Sequence, residues 1–106
     1  MPKKAIVSQP MRHVTDEEIV FTRRKAVRAL ALQGYECIDS LDAAKKRYAD
    51  GAPTGVMRPP LYFLGEVLKI MSQCDAVYFC KGWEEARGCM VEHLAAELYG
   101  LEILHE

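Results

Sequence analysis

The stretch Asp75-Ala76-Val77-Tyr78-Phe79-Cys80 carries no polar residue after its first position. A run that is apolar on both of its alternating faces is expected of a strand with helices packed above and below it, as in a parallel sheet, so this strand should be central. After it, Lys81-Gly82-Trp83 makes a turn, and Glu84 and Glu85 sit where negative charge favours a helix N-terminus. The helix that follows shows an apolar stripe at Val91, Leu94, Ala95 and Leu98, Gly100 closes it, and Leu101 to His105 reads as a last strand.

Upstream, Pro60 is placed to open a helix in which Leu61, Leu64, Val67, Leu68 and Met71 recur at intervals of three and four, ending before Asp75. The segment from Ser40 to Pro60 contains Asp50-Gly51, Pro53, Gly55 and Pro59-Pro60. It reads as a mobile connection with room for one helical turn around Ala43 to Tyr48, and loops of that length are often functional. Nearer the start, Lys3 to Ser8 forms a short β-branched run stopped by Gln9-Pro10. Thr15-Asp16-Glu17-Glu18 fits a capping box ahead of Ile19, Ala26, Val27, Leu30 and Ala31 at helical spacing, and Gly34 suits the left-handed position that ends a helix. Tyr35 to Asp39 is then the second strand. Strands alternating with helices predict an α/β three-layer sandwich with a mostly parallel four-stranded sheet. Its crossovers are right-handed and its order 2-1-3-4, in the doubly wound manner of flavodoxin-like and Rossmann-like folds.

The 106 residues describe one domain, residues 1–106, with half of them hydrophobic and 27% charged; that suffices for a single core and speaks against disorder. With 14 Lys plus Arg against 15 Asp plus Glu, the net charge is -1. Nucleic acids and anionic membranes are therefore not expected as partners, because phosphate neutralisation needs a clear cationic excess. The clusters Arg23-Arg24-Lys25 and Lys45-Lys46-Arg47 read as solvated surface balanced by nearby acids. No segment approaches the ~20 apolar residues of a membrane span, and Met1-Pro2-Lys3-Lys4 leads into only a short apolar run, so the mature chain is expected to start near residue 1 and to be cytoplasmic. Cys37, Cys74, Cys80 and Cys89 form no Cys-x-x-Cys pair and suit a reducing compartment. Cys89 and His93 could share a helix face, but no second close-spaced ligand pair accompanies them, and no metal is expected.

In a doubly wound sheet, ligands bind beyond the carboxyl ends of the strands, where the strand order switches. Ser8-Gln9-Pro10-Met11-Arg12, Asp39-Ser40 and Lys81-Gly82-Trp83-Glu84-Glu85-Ala86-Arg87-Gly88 are delivered there. Glu92 is the sharpest candidate. At 100° per residue it lies about 110° from the centre of the apolar stripe, on a flank shared with Gly88, Ala96 and Tyr99. Helical side chains lean toward the N-terminus, so the carboxylate leans over Gly88, whose missing side chain leaves space above it. The alternative is a boundary glutamate, solvated or paired with Arg87. A thiol nucleophile at Cys89 lacks an orienting third group, and His13 and His105 read as surface residues.

The string Gly88-Cys89-Met90-Val91-Glu92, after a buried strand starting at Asp75 and before an Ala-Ala helix ending at Gly100, resembles the active-site segment of the nucleoside 2-deoxyribosyltransferase-like superfamily. Ser8-Gln9-Pro10-Met11, Thr15-Asp16-Glu17-Glu18 and Lys81-Gly82-Trp83-Glu84-Glu85-Ala86-Arg87-Gly88 resemble, more narrowly, its short branch of phage and bacterial proteins of unknown function. The resemblance spans nearly the whole chain. It implies a nucleoside, nucleotide or related N-glycoside as ligand, no cofactor, and Glu92 as the nucleophile that attacks the sugar C1′. Glu84 or Glu85 would then protonate the leaving base if burial raised its pKa, or would remain a helix N-terminal charge. Trp83 could stack on the base or serve as a packing anchor. Ser8 and Gln9 could meet a sugar hydroxyl, and Arg12, Lys81 or Arg87 a 5′-phosphate. Relatives that complete their sites from neighbouring subunits imply a homodimer or larger homo-oligomer. Lys81 stands where transferases of the superfamily usually place an aspartate, and Val7-Ser8-Gln9-Pro10 where they usually place an aromatic and Gly-Pro. These departures suit the alternative function, a non-catalytic sensor or accessory module for a nucleotide derivative. A third reading is a structural partner in an oligomer.

Overall fold

The computed structural model describes residues 2–39 and 41–106; Ser40, one of the candidate loop residues, lies outside them. Four strands form one parallel sheet in the order 2-1-3-4: β1 (Lys3–Ser8), β2 (Tyr35–Cys37), β3 (Ala76–Phe79) and β4 (Glu102–His105). β1 pairs with β2 from Lys3 opposite Tyr35, and with β3 from Ala5 opposite Ala76 to Ser8 opposite Phe79. β3 pairs with β4 from Ala76 opposite Glu102 to Phe79 opposite His105. The fold is therefore α/β, with β3 interior as its unbroken apolar run requires.

Alternation along the strands divides the core in two. Ala5, Val7, Ala76, Tyr78 and Cys80 face α1 (Asp16–Leu32), which contributes Ala26 and Leu30. Ile6, Val77 and Phe79 face the opposite layer, where Val67 and Met71 of α3 (Pro59–Met71) and Ala96 of α4 (Arg87–Leu98) close over them. Thr15 caps α1 by accepting a hydrogen bond from the Glu18 amide at 3.1 Å. No helix among the described residues is long and apolar enough to cross a membrane.

Two local expectations are corrected. The segment after β2, which reads as a mobile connection with one helical turn around Ala43 to Tyr48, contains the longer, ten-residue helix α2 (Leu41–Asp50) at that place. Its Ala, Lys and Arg residues are good helix formers, Ala44 is buried, Arg47 is tied to Asp39, and Tyr48 packs on Phe63 with ring centroids 4.8 Å apart. Gly51, Pro53 and Gly55 fall in the link between α2 and α3, and Pro59 and Pro60 are the first residues of α3. In α4, the stripe expected to face the core turns the other way: Val91, Leu94 and Leu98 are exposed, whereas Cys89, Glu92 and Ala96 are buried. Small side chains at Cys89, Ala95 and Ala96 let the helix lie close on the sheet. An apolar row on the opposite side could not have done so without lifting the helix away.

Candidate functional site

The site grows from the carboxyl end of β1. Ser8 and Gln9 are buried there, and the Gln9 amide nitrogen donates to the Ile19 carbonyl at 2.8 Å, which leaves Gln9 Oε1 as an unused acceptor. Next to them, Arg23 of α1 is fully enclosed. One guanidinium nitrogen donates to the Val7 carbonyl at 3.0 Å and the other to Asp39 Oδ2 at 3.5 Å. Arg47 of α2 meets the same carboxylate through both of its terminal nitrogens, at 3.2 and 3.3 Å. Asp39 is thus held between two guanidiniums, the fork geometry suited to a carboxylate. Both arginines belong to clusters that read as solvated surface. The reading fails because each is paired through a residue distant in sequence. For Arg23 a signal was available, since Arg23, Ala26 and Leu30 stand at the spacing of one helix face.

Glu92 enters this arrangement from α4 and is 8% exposed. Burial pushes its carboxyl up to about 7, against the pull of the Ser8 hydroxyl and the positive charges of Arg23 and Arg47; Asp39 pushes the same way as burial. Ser8 Oγ lies near both Glu92 and Cys89, but closes a hydrogen bond of good geometry with neither. A side chain at Gly88 would begin 3.7 Å from Glu92 Oε2, so the glycine sits over the carboxylate as the helical geometry predicts. Burial also pushes the Cys89 thiol up to about 11, which keeps it protonated and unsuited to nucleophilic attack near neutral pH.

Ser8 Oγ, Gln9 Oε1, Arg23 Nε and Arg47 Nε are buried without a hydrogen-bond partner among the described residues. Each such atom costs free energy unless a ligand or water meets it. They gather around the β1/β3 switch point with Glu92, where a doubly wound sheet binds its ligands.

The loop after β3 comes alongside. Gly82 takes φ +90°, a backbone region that suits glycine, and a side chain there would begin 3.6 Å from the Pro10 ring. Gln9, Pro10 and Lys81 border a cleft of about 90 Å3 together with Glu18, Ile19 and Thr22 at the start of α1. The Lys81 amide donates to Glu106 at 2.9 Å, a bond that, with Lys25, holds the Glu106 carboxyl below its usual range.

Ser8, Asp39, Gly88 and Glu92 are brought together, and Gln9, Pro10 and Gly82 stand beside them, whereas Met11 is part-buried with no contact to the group. Arg12, Glu84, Glu85 and Arg87 are exposed, so the burial that would turn Glu84 or Glu85 into an acid is found at Glu92 instead. Trp83 is part-buried. Its indole stacks on the His93 ring with centroids 3.9 Å apart and planes 3° from parallel, so one of its faces is already covered. His93 Nδ1 lies 2.8 Å from Glu97, and its Nε2 lies 3.3 Å from Nε2 of His105, which joins this stack. Cys89 and His93 therefore point to different neighbours.

No curated protein and no solved structure matches the chain. A family model matches residues 7–105, from the end of β1 through β4, and on that match the chain belongs to the DUF4406 family, described as a domain of unknown function.

Proposed function

We propose that this domain binds a nucleoside, nucleotide or related N-glycoside over Glu92 and cleaves or transfers its N-glycosidic bond. The carrying observation is Glu92 itself: a buried carboxyl brought close to neutrality, beneath a glycine and among unpartnered polar atoms at the switch point. The resemblance of the Gly88-to-Glu92 string to the nucleoside 2-deoxyribosyltransferase-like superfamily supports the same reading. In the reaction, a carboxylate oxygen of Glu92 forms a bond to C1′ as the C1′–N bond breaks. The bonding pair leaves with the base, which takes up a proton from solvent water. Water or a second base then displaces Glu92 from C1′ and restores the carboxylate. Ser8 and Gln9 offer hydrogen bonds to sugar hydroxyls, and the Arg23–Asp39–Arg47 group supplies a fixed electrostatic setting.

A second reading has its own support. The buried carboxylate nearest Glu92, Asp39, is committed to Arg23 and Arg47, Glu84 and Glu85 are exposed, and one face of Trp83 is occupied. A site so equipped suits a module that binds a nucleotide derivative without turning it over. Incubation with ribo- and deoxyribonucleosides and their 5′-monophosphates, followed by chromatography for free base, separates the two. Base release that Glu92→Gln abolishes is the expected result. Saturable binding without release establishes the sensor reading, and neither binding nor release by folded protein overturns both.

A further inference from the structure

The outer face of α4 is built as a contact surface. At 100° per residue, Met90, Leu94 and Leu98 form one row with Val91 beside it, on the side of the helix opposite Cys89, Glu92 and Ala96. These four side chains are 49%, 54%, 71% and 43% exposed. Together they leave on the order of 400 Å2 of contiguous apolar surface, within the range of roughly 300–600 Å2 that marks the largest, often functional, patch on a monomer. A helix apolar on two opposite sides has one side more than its own sheet can cover.

The charges on this face identify what covers it. Arg87 stands at the N-terminal end of the row and Glu97 at the C-terminal end, both exposed on the outward side; Oε1 of Glu97 lies 2.8 Å from His93 Nδ1, and its side chain is still 53% exposed for a second partner. The row is therefore self-complementary when a second copy is laid across it in the antiparallel sense. Met90 of each copy then meets Leu94 of the other, Val91 lies near the axis, and Arg87 of each reaches Glu97 of the other. A twofold axis produces both ion pairs at once. Two copies bring together on the order of 800 Å2 of apolar surface before the polar rim is added, close to the roughly 1,000 Å2 that a specific interface needs. We infer that the chain forms an isologous dimer through antiparallel packing of the outer faces of two α4 helices, sealed by reciprocal Arg87–Glu97 pairs.

Light scattering of the full chain over a wide concentration range tests this. The wild type is expected to show the mass of two chains. Leu94→Glu and, separately, Leu98→Glu are expected to show the mass of one, with unchanged circular dichroism because both positions are exposed. Arg87→Glu should weaken the dimer about tenfold, since symmetry creates two like-charge contacts. The double variant Arg87→Glu with Glu97→Arg should restore it, which a merely sticky surface would not do. A wild type with the mass of one chain throughout overturns the proposal and gives the face to a different partner. A dimer that withstands Leu94→Glu and Leu98→Glu, or a charge swap that restores nothing, overturns it equally.

Discussion

Gly88 lies one helical turn before Glu92 on α4, and the position its missing Cβ would take is 3.7 Å from Glu92 Oε2. That spacing is ordinary contact, so alanine fits there without displacing the helix. Gly88→Ala is expected to raise stability by up to ~1 kcal/mol, because alanine is the better helix former and restricts the unfolded chain. It should also cover the carboxylate. Thermal unfolding should therefore move up while base release or ligand binding falls, and a variant that binds and reacts as well as the wild type would show that ligands do not approach Glu92 from this side.

Glu92 makes stability and activity run in opposite directions with pH. Its carboxyl titrates at about 7 in the folded chain, raised by burial from 4.5. Between those values the folded state holds a proton that the unfolded state has released. The contribution is thus fully present below about 4.5 and is lost as pH rises through about 7, at a cost on the order of 3 kcal/mol. Glu92→Gln should flatten this part of the pH–stability curve and be the more stable protein at pH 8. The attacking form is the carboxylate, so base release by the wild type should rise as pH passes through about 7. Urea unfolding and initial rates measured over the same pH series check both slopes.

Arg23 couples the structural network to the site. Its guanidinium satisfies the Val7 carbonyl and Asp39, and its charge also draws the Glu92 carboxyl downward. Arg23→Met removes a buried partner from Asp39 and should cost roughly 3–5 kcal/mol. In whatever fraction stays folded, the Glu92 titration should move to higher pH. Carboxyl chemical shifts followed by NMR would reveal that displacement, and an unmoved midpoint would mean that Arg47 alone sets the local potential.

The Trp83–His93 stack predicts an optical signature. With ring planes 3° from parallel and centroids 3.9 Å apart, His93 shields one indole face from water. His93→Ala should shift the emission of the single tryptophan to longer wavelength and lower stability by about 1–2 kcal/mol. Unchanged emission would place the indole away from His93 in solution.

Much of the architecture is legible in the chain itself. The apolar run through Phe79 reads as an interior strand, the Thr15 hydroxyl caps the start of α1, and the alternation of strands and helices leads to the order 2-1-3-4. The lean of Glu92 over Gly88 follows from helical geometry alone, because it depends on neighbours four residues apart. Three features were decided only by the tertiary structure. α4 is apolar on two sides, and periodicity cannot tell which one the sheet takes; close approach through Cys89, Ala95 and Ala96 selects the side that buries Glu92. Arg23 shares a helix face with Ala26 and Leu30, but only the fold shows that it and Arg47 converge on Asp39, whose charge makes their enclosure tolerable. α2 forms in a stretch bordered by glycine and proline because Asp39 and Phe63 anchor it from outside. Local pattern determines which elements form, whereas long-range pairing of charge and shape determines which way they face, and at the carboxyl end of β1 that second choice makes the site.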